Sequence, residues 1–122
     1  MTRPVAGAKL QQAVADLARQ WPEATCTQPF GPEHDVFKVK GKVFAMTTGV
    51  PGHPVVTLKC DPERAVLLRE LHPTVTPGYH MNKRHWISIA AGPGITLTFI
   101  RELVTDAYAL VVASLPKRNR PS

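Results

Sequence analysis

The sequence predicts an α+β domain: one antiparallel β-sheet with helices packed on one of its faces, in the element order α-β-β-β-α-β-α. Three observations lead there. Apolar residues recur at helical spacing near both ends of the chain, and they alternate at period two through the middle. The connections between the alternating runs are too short for parallel crossovers. At 122 residues the chain supports one hydrophobic core, so residues 1–116 are expected to form a single domain and residues 117–122 a flexible basic tail.

Each element has its own signal. Leu10, Val14, Leu17 and Trp21 lie on one face of a first helix, which Pro22 ends. Phe37 and Val39 then alternate with Lys38 and Lys40, and Gly41 supplies a tight turn into a second strand over residues 43–47. After a loop at 49–54, the β-branched run 55–59 reads as a third strand, with Lys59 on its polar face. Asp61 before Pro62 is a helix start, because the carboxylate accepts from free N–H groups while proline at the first helical position gives up no bond. That helix should run to Leu71 and bury Val66, Leu67 and Leu71. Pro73 and Pro77 force an extended connection, residues 85–89 alternate as another strand, and Trp86 is placed in the core. Ile100, Leu103, Ala107, Leu110, Val111 and Leu115 mark a final helix that starts at Leu97 and ends before Pro116.

Composition narrows the function classes. Hydrophobic residues make up 43% and charged residues 20%, which suits a folded domain rather than a disordered chain. No apolar run is long enough to span a membrane, and the first residues lack the apolar centre of a signal peptide, so a cytoplasmic location is expected. Cys26 and Cys60 form no metal-like pair and read as reduced, buried thiols. His34, His53, His72, His80 and His85 show no ligand spacing, so no metal or cofactor is expected. Nucleophile-elbow, phosphate-loop and dinucleotide motifs are missing from the sequence, and no enzymatic activity is assigned. The net charge of +6 favours an acidic or phosphate-rich partner, although Lys117, Arg118 and Arg120 in the tail carry half of that excess.

The densest set of reactive side chains is PGYHMNKRHW, residues 77–86. With PFG (29–31), FKVKGKVFA (37–45), LKCDPERAVLLRE (58–70) and AYALVVASLPK (107–117), it resembles the MmcQ/YjbR-like family over nearly the whole chain. The resemblance implies a fold similar to that of secretion chaperones, and DNA binding through a double wing of hairpin loops. By matching blocks, the wings are the turn at Lys40, Gly41 and Lys42 and the loop at 49–53, in which His53 is the sole candidate cation.

Read from the residues themselves, Lys38, Lys40, Lys42, Tyr79, His80, Asn82, Lys83 and Arg84 are the candidate nucleic-acid-binding set. Lysine and arginine supply charge to phosphates, while Asn, Tyr and His donate directional hydrogen bonds. A structural role competes at each place: Tyr79 as a core aromatic, Asn82 as a turn cap, the hairpin lysines as guards of an edge strand. The leading expectation is a nucleic-acid-binding protein that contacts the phosphate backbone without strong base specificity. The alternatives are a protein-interaction or chaperone-like module using an open sheet face, and a small-ligand or enzymatic site around Tyr79, His80, Asn82 and Lys83.

Overall fold

Four alanines and the spacing of Leu10, Val14 and Leu17 make residues 7–18 a helix, α1 (Gly7–Ala18), in a computed structural model that describes residues 5–29, 31, 34–50, 53–78 and 81–120. Strands β1 (Ala24–Thr27), β2 (His34–Val39), β3 (Lys42–Val50) and β4 (His53–Lys59) follow. Then come α2 (Pro62–Leu71), β5 (Val75–Pro77), β6 (Trp86–Ala90) and α3 (Leu97–Ser114). All strands join one antiparallel sheet in the order β1-β2-β3-β4-β6-β5.

The expected fold class and succession of elements are present, with two short edge strands added. Neither carries a readable pattern. β1 is four residues with no buried member, and β5 is three residues ending in Pro77, a residue that strands accept at an edge. Helix starts follow the local chemistry: the Asp61 side chain accepts from the Arg64 N–H at 3.3 Å, and the Thr96 hydroxyl accepts from Phe99 N–H at 3.1 Å.

Alternation divides the sheet into two faces. Phe37, Val56, Leu58, Val75, Ile87 and Ile89 join Leu10, Val14, Ala65, Leu68, Ile100 and Val104 in the main core, so all three helices lie on that side. Met46, Thr57, Ser88 and Thr76 form one row across the reverse face, where the Thr57 and Ser88 hydroxyls share a hydrogen bond of 2.8 Å. Trp86 is buried as expected, yet it belongs to this reverse face, since it is one step out of phase with Ile87.

Two burial expectations fail. On α2, Val66, Leu67 and Leu71 are 45%, 57% and 70% exposed, and Ala65 and Leu68 make the contact instead. The helix lies over the sheet edge at β5 and β6, which is wide enough to cover only one narrow stripe of it. Cys26 sits on the outermost strand and is exposed, whereas Cys60 is buried; both are free thiols.

Candidate nucleic-acid interface

Antiparallel order decides which charged segments meet. β2 and β4 finish, and β3 and β6 begin, at the same end of the sheet, where Val39 pairs with Lys42 and Lys59 with Trp86. β5 also finishes there, with Pro77 opposite Ile87. The β2–β3 turn and the connection from β5 to β6 therefore project from one end, with the start of α2 between them. Three strand spacings separate the two projections, roughly 14 Å.

The turn itself is unusual in its residues. Lys40 and Gly41 have φ of 51° and 81°, the pair of left-handed residues that closes a two-residue hairpin and that favours Asn-Gly. A lysine in the first of these positions works against the backbone preference. Its ammonium lies 2.5 Å from the carboxylate of Glu23, itself at φ 58°. Lys42 is exposed beside it. A β-bulge after Phe37 sets Lys38 opposite Val43, and alternation from the core residues Phe37 and Val39 puts Lys38 on the helix-free face. The hairpin lysines thus share one end but not one face.

The second projection is pinned at its base. Gly78 N–H donates to the Trp86 carbonyl at 2.9 Å, and a Cβ on Gly78 would lie 2.4 Å from that of Trp86, so only glycine fits. Asn82 Oδ1 accepts from Arg84 N–H at 2.9 Å, and His85 N–H donates to the Asn82 carbonyl at 3.3 Å. Asn82 therefore shapes the turn. Lys83 and Arg84 are exposed at the tip. Tyr79 and His80 lie outside the described residues. Between the projections, Lys59 Nζ stands 5.3 Å from the centroid of Trp86 on the helix-free face. This pair is legible in part from the sequence, which puts Lys59 on a polar face, but its ring partner comes from a different segment.

The end of α3 reaches the same region, because Leu110 and Ala113 line a cavity of about 350 Å³ together with Lys59, Cys60 and Asp61. Beyond it, residues Lys117–Asn119 form one 3-10 turn, and Arg120 folds back to donate to the carbonyls of Leu115 at 3.1 Å and Ala113 at 2.9 Å. The Arg64–Asp106 ion pair and Cys60 line the same cavity, and burial pushes the Cys60 thiol above its ordinary pKa with Arg64 opposing.

The turn at Lys40–Lys42 and the loop at 49–53, the two wings that the resemblance implies, stand at opposite ends of β3, about 27 Å apart along nine residues. Residues 51 and 52 of that loop are outside the described set. Among the described residues no group of three or more His, Cys, Asp or Glu side chains gathers to hold a metal, and no helix is long and apolar enough to cross a membrane.

Comparison with known proteins agrees with the fold. The sequence profile of the YjbR family matches residues 19–110. The uncharacterised protein YbdF of Escherichia coli O157:H7 is 41% identical over 111 residues, covering 91% of each chain. The uncharacterised protein YjbR of Escherichia coli K12 is 39% identical over 83 residues, covering 68% of this chain and 70% of its own. Among solved structures, Deinococcus radiodurans protein DR2400, a DUF419 domain, superposes with a TM-score of 0.79 at 32% identity over 87% of this chain and 81% of its own. A Pseudomonas syringae protein does so with 0.68 at 28% identity, over 82% and 96% respectively.

Proposed function

The chain belongs to the YjbR family, and we propose that this member binds nucleic acid by laying the phosphate backbone across the end of the sheet that carries Lys40, Lys42, Lys59, Lys83 and Arg84. The observation that carries the reading is topological: segments distant in sequence bring their cations to one end, with the basic C-terminal turn beside them. The roughly 14 Å between the two projections compares with a major groove about 12 Å wide, so the two can reach phosphates on either side of it. Contact with phosphate alone gives affinity without strong base specificity. A lysine held in a left-handed turn position, where asparagine is the better fit, supports a role for its charge.

Fluorescence anisotropy of labelled DNA and RNA against salt, with the whole chain and with residues 117–122 removed, tests the reading. Binding that weakens steeply with salt and survives removal of the tail supports it. Absence of binding at low salt, or its disappearance with the tail alone, refutes it.

A second reading has one observation in its favour. The exposed large apolar side chains among the described residues are Val66, Leu67, Leu71 and Leu110, all on α2 and α3 rather than on the open sheet face. A protein-interaction role would use those helices, and its affinity would persist in high salt.

A further inference from the structure

Between α2 and the β5–β6 connection runs a groove of about 370 Å³, lined by Pro62, Glu63, Val66, Arg69, Lys83 and Arg84. Its chemistry is lopsided, with three cations against one carboxylate. The cations also differ in depth. Lys83 and Arg84 are exposed at the rim, whereas Arg69 is part-buried, and its Nη1 is buried with no hydrogen-bond partner among the described residues. The planar fork of arginine matches the oxygens of a phosphate, whose second charge suits a site with three cations.

We infer that this groove holds a phosphate monoester, gripped by Arg69 from within and by Lys83 and Arg84 at the rim. A diester in the middle of a strand is flanked by sugars on both sides and reaches only the rim cations. A terminal phosphate has one free side and an additional negative charge, so it can enter as far as Arg69. Pro62 and the half-exposed Val66 supply an apolar wall for the group that carries it. The inference deepens the nucleic-acid reading and rests on it for the class of ligand. The phosphate comes either from a 5′ strand end or from a free phosphorylated small molecule.

The test uses the full chain. Amide spectra are recorded during titration with inorganic phosphate, ionic strength being held constant with chloride, for the wild type and for Arg69→Gln and Arg84→Gln. In parallel, anisotropy compares a 5′-phosphorylated with a 5′-hydroxyl oligonucleotide of the same sequence. Phosphate should shift Val66, Arg69, Lys83 and Arg84 selectively, and both variants should abolish the effect. A preference of about tenfold for the phosphorylated strand, lost in both variants but retained in Lys42→Gln, identifies a strand end as the source. Groove shifts without that preference identify a small phosphorylated molecule. Absence of groove shifts in the wild type overturns the inference, whatever the oligonucleotides do. Shifts that persist in Arg84→Gln overturn it as well, and that variant alters an exposed side chain, so its fold is retained. If phosphate perturbs the groove while neither oligonucleotide binds, the backbone reading fails and the pocket stands.

Discussion

Replacing Lys40 by asparagine should make the protein more stable and a weaker binder at the same time. A residue other than Gly, Asn or Asp in the left-handed region costs roughly 1–2 kcal/mol, and Lys40 at φ 51° next to Gly41 at φ 81° bears that cost in a turn suited to Asn-Gly. Asparagine relieves most of it. The variant also loses the Lys40–Glu23 pair, but both side chains are more than a third exposed, so the loss is held to about 0.5 kcal/mol by solvent screening. The net expectation is a gain of about 0.5 kcal/mol, a rise of about 2 °C in Tm for a domain of this size. Removing one phosphate contact lowers the slope of log affinity against log salt by about 0.9. Urea unfolding followed by tryptophan fluorescence and salt-dependent anisotropy measure the two quantities. A variant less stable by about 0.5 kcal/mol or more would show that the ion pair outweighs the turn, and an unchanged salt slope would show that Lys40 meets no phosphate.

Other substitutions separate the remaining claims. Glu23→Gln releases the Lys40 ammonium and should strengthen nucleic-acid binding about threefold, which anisotropy at fixed salt detects. Gly78→Ala forces a Cβ against Trp86 and should cost about 1–3 kcal/mol in urea unfolding, while altering Trp86 emission; a neutral effect would contradict the tight approach at the base of the loop. Leu68→Ala should cost about 2–5 kcal/mol, whereas Leu71→Gln, at a site 70% exposed, should stay within about 0.5 kcal/mol in the same assay. A thiol reagent should modify Cys26 in the native protein and Cys60 only after unfolding. Burial raises the Cys60 pKa in the folded state, so the stability it confers is complete below the ordinary thiol range and is lost as pH rises through the raised value; unfolding measured across alkaline pH follows that loss.

The sheet and its helices are legible in the sequence because their signals are periodic and local: Phe37 and Val39 alternating with lysines, Asp61 and Pro62 opening a helix, a long apolar stripe through α3. β1 and β5 are not, since four residues without a buried member and a three-residue edge ending in proline have no period to detect. Helical spacing alone misassigns the outer face of α2, because it cannot say how wide a surface the helix meets; Val66, Leu67 and Leu71 overhang a narrow sheet edge. At the site, the residue types and the two basic segments are readable. Their convergence is not, for it follows from strand order, which joins β4 to β6 and so brings residues 82–84 to the end that carries Lys40. The same order puts the loop at 49–53 at the opposite end of the sheet. The Glu23–Lys40 pair, the stacking of Lys59 on Trp86 and the recessed Arg69 depend on side chains far apart in sequence and leave no local trace.

Amide chemical-shift mapping with a short DNA duplex at low salt addresses the shared surface most directly. If the backbone lies across the charged end of the sheet, the shifts should concentrate at Lys40, Gly41, Lys42, Lys59 and at Asn82, Lys83 and Arg84, while the opposite end of β3 at Val50 stays unchanged. Shifts centred on Val50 and His53, or confined to residues 117–120, would contradict it.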